Sequence, residues 1–195
     1  MSIHFDIAMS IGATCRIKYQ LKRYFPDRVQ SSVFDWQVTP TSALLTYLER
    51  DFQGLFEPLD LALTESGIVR NTRFDTLHPH EFPKRIQSTA DILANYINAR
   101  QRHNYLAEKT RSLLRMENGT LLLGLSDPLT DAEIEQILDA ISRFNPELKF
   151  MILLGVEDKS ENWKGSDDLW SDHFAAALCR GIDARVAGGR WSSGK

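Results

Sequence analysis

The sequence predicts an α/β fold, in which a single domain has a mainly parallel sheet flanked by helices. Two observations indicate this class. Residues 3–12 form a short, mostly apolar run that ends at a glycine and precedes a helical pattern, as a buried strand does. Residues 120–125 and 150–156 are apolar runs on either side of another helical pattern. Because such a strand–helix–strand unit is a right-handed crossover, we expect its two strands to be parallel.

Length and composition fit one domain. The chain has 195 residues, of which 43% are hydrophobic and 25% are charged, which is enough for one buried core. We expect this domain to span residues 1–187. Residues 188–195 are rich in glycine and serine and are predicted to form a mobile tail.

Charge and hydropathy exclude two classes of partner. The formal net charge is −3, and no block of like charges resembles a nucleic-acid arm or a polybasic membrane patch. No run approaches the roughly 18 consecutive apolar residues that a membrane span needs. The sequence therefore predicts a cytoplasmic protein that binds neither nucleic acid nor a membrane, and it leaves the oligomeric state open.

The first half of the chain contains two predicted helices. The first covers residues 15–24, with Thr14 as its cap and Pro26 just beyond its end. Residues 31–38 form a compact segment with aromatic side chains on both sides of an aspartate. A proline in its first turn then opens a second helix over residues 40–52.

A hairpin and a long helix are predicted in the middle of the chain. Residues 59–64 and 67–74 alternate around a glycine-containing turn. A helical pattern runs from residue 89 to residue 116, and its polar middle, residues 98–104, marks a candidate break.

The strand–helix–strand unit follows the long helix. Thr130 and Glu133 have the spacing of a capping box at the start of its helix. A last helix is predicted over residues 169–180.

Cys15 is the first candidate for chemistry. The two cysteines, Cys15 and Cys179, are too few for a disulfide framework or a cysteine zinc site. Cys15 lies where the first strand gives way to a helix, at the sheet edge where open α/β sheets bind ligands. The helix dipole and unpaired N–H groups there predict a lowered thiol pKa. A plain packing role for the thiol is the alternative.

A thiolate needs a base, and five histidines are available. His80 is favoured together with His78, because both flank a proline in a predicted loop. With Glu81 they could approach a metal, but a third ligand at metal spacing is missing, so no metal is expected. The other histidines are His4, His103 and His173.

Two groups of carboxylates could orient an imidazole. Asp35 lies between two aromatic residues and must be paired if it is buried; capping a turn is its alternative role. Asp168 and Asp172 accompany His173 after the last predicted strand. The glycine at position 12 stands alone, whereas a dinucleotide fingerprint needs three glycines, so no nucleotide cofactor is expected.

Three short motifs resemble those of a bacterial family of uncharacterised domains described as papain-like cysteine peptidases. The motifs are residues 10–15 (SIGATC), 34–36 (FDW) and 80–82 (HEF), in the family's order. The resemblance implies Cys15 as the nucleophile, His80 as its partner and Asp35 as an orienting residue. It also implies a papain-like α+β fold, which is the alternative to the open α/β sheet.

The predicted strand and helix order is also similar to the flavodoxin-like esterase group. In that group a serine follows the first strand, and an acid and a histidine lie near the C-terminus. The likeness implies that Cys15 takes the serine's place, with His173 and either Asp168 or Asp172 as its partners.

The sequence thus predicts a cysteine-dependent hydrolase or acyl transferase, similar to a thiol protease, that acts on a peptide or another acyl-bearing substrate. Backbone N–H groups from Thr14 to Arg16 would receive the oxyanion, and Phe34 and Trp36 would contact the substrate. A binding module without catalysis is the alternative, and there Phe34, Trp36 and Phe82 would line a recognition pocket.

Overall fold

The computed structural model describes residues 4–126, 129–180 and 184–186. In these ranges the chain forms seven strands and five α-helices. The strands are β1 (Ile7–Gly12), β2 (Leu61–Leu63), β3 (Val69–Asn71), β4 (Thr76–His78), β5 (Thr120–Ser126), β6 (Lys149–Leu154) and β7 (Ala184–Val186). The helices are α1 (Cys15–Tyr24), α2 (Thr41–Glu49), α3 (Thr89–Leu114), α4 (Asp131–Ser142) and α5 (Asp167–Arg180), and a 3-10 turn covers Pro58–Asp60.

The main sheet has the order β1-β5-β6-β7. Its first three strands are parallel, and β7 joins the edge in the antiparallel direction. The strand–helix–strand prediction is confirmed, because β5 and β6 are adjacent, parallel and joined by α4. The α/β class with a parallel sheet flanked by helices is likewise confirmed.

Alternate residues of each strand face opposite helical layers, as the period of a strand requires. In β1, Met9 packs in a core cluster with residues of α2 and α4, whereas Ala8 packs in a second cluster with residues of α1 and α5. Both strand residues are fully buried. The sheet is therefore the middle layer of three.

Gly124 in β5 allows α1 to lie close to the sheet. A Cβ at this position would be 2.7 Å from Cδ1 of Leu21 and 3.0 Å from Cγ1 of Ile17. Both distances are tighter than packed carbon atoms normally allow. The glycine thus fixes how closely the helix that begins at Cys15 approaches the strands.

The long helix α3 is continuous over 26 residues, so the predicted break at residues 98–104 is wrong. Ser88 caps it by accepting a hydrogen bond from the Asp91 N–H at 3.2 Å. Within residues 98–104, Ala99 and His103 are buried and lie one turn apart. The other residues of this stretch are exposed. One buried face is sufficient to keep the helix intact.

The predicted hairpin is confirmed as β2 and β3, which pair in the antiparallel direction. Gly67 in their turn has a φ of +77°, a conformation that favours glycine. The sequence reading missed β4, which completes a three-stranded sheet after Asp75 turns the chain with a φ of +58°. A bridge between Val38 and Leu77 connects this small sheet to the segment that precedes α2.

Several other predictions can be compared with the structure. The capping box of Thr130 and Glu133 is present at the start of α4. The tail predicted at residues 188–195 lies outside the described residues. Among the helices that the structure describes, none has the combination of length and hydropathy needed to cross a membrane.

Candidate functional site

Cys15 is the first residue of α1 and follows β1 by two residues. It is half-buried at the edge formed by the carboxyl ends of the parallel strands. Thr14 occupies the N-cap position in an extended conformation, but its side chain makes no capping hydrogen bond to the helix. The turn is fixed instead by the backbone, since the Thr39 N–H donates to the Ala13 carbonyl at 3.0 Å.

Burial raises the pKa of the Cys15 thiol above its ordinary value of 9.0. The backbone N–H of Cys15 and the charge on Arg16 lower this pKa, but by less than burial raises it. Among the described residues no histidine hydrogen-bonds to the sulfur. The predicted lowering of the thiol pKa is therefore wrong, because desolvation outweighs the helix N-terminus.

Asp35 is fully buried and joins three parts of the chain. Its carboxylate accepts hydrogen bonds from Ser10 Oγ at 2.5 Å and from the Ser32 N–H at 3.0 Å. Lys18 Nζ, on α1, forms an ion pair with it at 2.7 Å. Burial lowers the pKa of Lys18, and Asp35 opposes that change. Asp35 therefore holds β1 and α1 to its own segment. This corrects the prediction that Asp35 orients His80.

His80 is exposed and lies beside Trp36. Its ring meets the Trp36 ring edge-on, with centroids 5.4 Å apart and an interplanar angle of 76°. No hydrogen bond among the described residues connects His80 with Cys15 or Asp35. The structure does not bring the predicted set of Cys15, His80 and Asp35 together.

A cleft of ≈ 430 Å³ opens beside His80. Of the three aromatic residues predicted to line a recognition pocket, only Trp36 does so. Phe34 and Phe82 are 1% and 7% exposed and pack in core clusters, which corrects their predicted role. The residues around the cleft are Trp36, His80, Glu81, Arg102, Tyr105 and Leu106.

His173 lies on α5, near the end of β6. Its Nε2 is 2.6 Å from the carbonyl oxygen of Leu154, the last residue of β6. Asp168 and Asp172 are exposed, and neither forms a hydrogen bond with His173. The Leu154 carbonyl therefore contacts the His173 ring, where the sequence predicts the carboxylate of Asp168 or Asp172.

Arg16 holds the loop that follows β6. Its guanidinium donates to the backbone carbonyls of Asp158 at 2.6 Å, Ser160 at 3.1 Å and Asn162 at 3.0 Å. The donors of its side chain are thus occupied by this loop, while the predicted contact of the Arg16 backbone N–H with an oxyanion stays a prediction. The loop that it organises borders the same sheet edge as Cys15.

Asp158 is the second organiser of this loop. Burial raises its pKa, but hydrogen bonds from the Ser160 and Ser166 N–H groups and from Trp170 Nε1 outweigh burial and hold it at about 2. The carboxylate is therefore charged across the physiological range.

A group of buried polar side chains between α2, α3 and β4 was missed by the sequence reading. Tyr47 Oη is 3.1 Å from His103 Nε2, and Thr76 Oγ1 is 2.9 Å from His78 Nε2. His78 Nδ1 faces Glu81 Oε2 at 3.8 Å. His103 lies four residues after Ala99 and four residues before Ala107, and this spacing was the sequence signal that it belongs to the buried face of α3.

Four polar atoms of this group have no hydrogen-bond partner in the described part of the chain. Burial and the nearby His78 hold the pKa of His103 at about 3, so its ring is neutral. Burial also raises the pKa of Tyr47. The atoms without partners are Gln37 Oε1, His78 Nδ1, Glu81 Oε2 and His103 Nδ1.

The described residues contain no group of three or more histidine, cysteine, aspartate or glutamate side chains placed to hold a metal ion. No family model, no curated protein and no solved structure matches this chain. The functional inference consequently depends on the residues and their geometry.

Proposed function

We propose that the protein is a cysteine-dependent hydrolase or acyl transferase in which Cys15 is the nucleophile and His173 is the general base. The observation that carries this proposal is the position of Cys15, half-buried in the first turn of α1 at the carboxyl edge of a parallel sheet. Open α/β sheets bind ligands at this edge. First-turn N–H groups also offer donors to an oxyanion.

The choice of His173 over His80 follows from the layers of the fold. α1 and α5 cover the same face of the sheet, since Ile17 and Phe174 share one core cluster. Cys15 and His173 are also both near the carboxyl ends of parallel strands. His80 instead lies beside the antiparallel sheet and α3.

The contact with Leu154 prepares His173 to act as a base. Because a carbonyl oxygen only accepts, Nε2 must carry the proton that it donates to Leu154. Nδ1 of the neutral ring is then the basic nitrogen. This layout is similar to that of the flavodoxin-like esterases, with a carbonyl in place of their acid.

In the proposed reaction Nδ1 of His173 takes the thiol proton as Cys15 Sγ attacks a carbonyl carbon. The tetrahedral oxyanion is held by N–H groups of the first turn of α1, and the imidazolium returns the proton to the departing amine, alcohol or thiol. Water or another acceptor then releases the acyl group. A resting thiol with a raised pKa is protonated, so deprotonation and attack must be coupled.

The proposed substrates are peptides and other acyl-bearing molecules, with esters and thioesters as close alternatives. The proposed compartment is the cytoplasm, where a thiol nucleophile stays reduced.

Acyl transfer to Cys15 tests this proposal. The Cys179→Ser variant, which keeps one cysteine, would be incubated with p-nitrophenyl acetate and with an acetyl thioester, and acetylation would be followed by peptide mass spectrometry. We expect acetyl-Cys15 to form faster than acetylation of a free thiol. His173→Gln should slow it by about 100-fold or more.

His80→Gln is the matched control and should leave the rate unchanged. Acetylation of Cys15 no faster than that of a free thiol would overturn the enzyme proposal. If His80→Gln lowers the rate and His173→Gln does not, the base is His80 and the papain-like alternative is favoured.

A further inference from the structure

We propose that the cleft beside Trp36 binds a free α-amino acid with an aromatic or large aliphatic side chain. The cleft lies between the segment that precedes α2, the loop after β4, and α3. Its volume of ≈ 430 Å³ is within the usual range for small-molecule sites. This site is separate from Cys15 and does not depend on the proposed catalysis.

The walls of the cleft present apolar surface to solvent. Trp36 is 39% exposed and Tyr105 is 66% exposed, and both line the cleft with Leu106. The edge-on contact with His80 fixes the orientation of the Trp36 ring. Aromatic surface in a concave site suits an apolar side chain of a ligand.

A buried carboxylate also lines this cleft. Glu81 is only 6% exposed, and its Oε2 has no hydrogen-bond partner among the described residues. Nδ1 of His78 lies 3.8 Å from this oxygen, which is too far for a hydrogen bond. A buried carboxylate oxygen without a hydrogen-bond donor is unfavourable, so a ligand ammonium group beside this carboxylate would supply a favourable interaction.

Arg102 supplies the opposite charge. Its guanidinium donates to the backbone carbonyl of Glu81, which holds it over the same segment. In the described part of the chain it forms no ion pair, whereas Arg100, two residues earlier on α3, pairs with Glu57. The remaining N–H groups of Arg102 suit a carboxylate.

An α-amino acid matches this combination of groups. Its ammonium group would pair with Glu81 and its carboxylate with Arg102, while its side chain would pack on Trp36 and Tyr105. A ligand with one charge would leave either Glu81 or Arg102 in the cleft without its counter-ion, which disfavours such ligands.

Titration with L-phenylalanine tests the proposal. Binding would be measured by calorimetry and by the NMR shift of the Trp36 indole N–H, and compared with 2-phenylethylammonium and 3-phenylpropionate, which each lack one charge. We expect L-phenylalanine to bind at least about tenfold more tightly than either analogue. Glu81→Gln and Arg102→Gln should each weaken its binding by about tenfold or more.

Exposed residues provide the controls. Glu65→Gln and Arg100→Gln should leave the affinity unchanged, as should Cys15→Ser, which separates this proposal from the catalytic one. Because Arg102 is exposed, its variant tests the site even if Glu81→Gln does not fold. The proposal is overturned if the Trp36 signal does not move at about 10 mM L-phenylalanine, if one-charge analogues bind equally well, or if Arg102→Gln has no effect.

Discussion

Burial determines the protonation state of Cys15 and of His103. Cys15 keeps its proton because half-burial outweighs the helix N-terminus, and His103 stays neutral because it is buried beside another histidine. In both residues the water that the charged form loses on burial outweighs the favourable interactions that it gains. At this scale a sequence position alone is a poor guide to pKa.

The raised pKa of Cys15 is measurable by alkylation. In the Cys179→Ser variant, the rate of reaction with iodoacetamide should rise with pH toward a midpoint above 9.0, the ordinary thiol value. The thiolate is the reacting form, so labelling at neutral pH should be slower than that of a small free thiol. A midpoint near neutral pH would show that an unrecognised base or charge acts on the thiol.

His103 should make the fold sensitive to acid. Its pKa is about 3 in the folded protein and near 6.5 when unfolded, so its contribution to stability is complete above pH 6.5 and is lost as the pH falls toward 3. In this window His103 should change the free energy of unfolding by at most about 1.4 kcal/mol per pH unit. Urea unfolding of His103→Gln between pH 4 and pH 7 should show a smaller slope. The exposed His4→Gln should retain the wild-type slope, and identical slopes in all three proteins would contradict the prediction.

At the scale of elements, close packing of α1 on β5 determines where Cys15 lies. Gly124 leaves space that Ile17 and Leu21 fill, and Lys18 on the same helix is paired with Asp35. The position of Cys15 therefore depends on the packing and the ion pair of α1 and not on the turn alone.

Gly124→Ala should destabilise the protein by about 1–3 kcal/mol, because the added methyl group overlaps with Leu21. Chemical denaturation would measure the change. Combining it with Leu21→Ala should give a loss smaller than the sum of the two single losses, since the shorter side chain removes the overlap. Additive losses would indicate that the two residues do not compete for space.

At the scale of the whole molecule, the two sheets differ in how they are supported. β5 is hydrogen-bonded on both sides, to β1 and β6, and lies between two core clusters. The strands β2, β3 and β4 have three residues each, and β2 and β3 pack on α3 through a third cluster. The smaller sheet, which carries the cleft region, has fewer supporting interactions.

Hydrogen exchange should reflect this difference. Under native conditions the amides of β5, such as Leu122 and Leu123, should exchange only through global unfolding, whereas those of β3 should exchange through smaller openings. NMR exchange rates at several low urea concentrations would separate the two processes. Equal opening free energies for β3 and β5 would show that the molecule unfolds as one cooperative unit.

Local rules of the chain were sufficient to predict most elements. The bounds of α1, the capping box at Thr130 and the hairpin around Gly67 follow from side-chain period, caps and turn residues, which act over a few positions. β4 was missed because three residues are too few to show a period. The break in α3 was expected because polarity was read without knowing which face is buried.

The sequence by itself determined the α/β class, the parallel pairing of β5 with β6 and the place of Cys15 after the first strand. Only the tertiary structure decided the neighbours of the buried polar groups: Asp35 with Lys18, Arg16 with the loop after β6, and Glu81 with His78. The physical reason is the separation along the chain over which each interaction acts. Period and capping depend on neighbours in the chain, whereas desolvation and ion pairing depend on residues that meet only after the layers have packed.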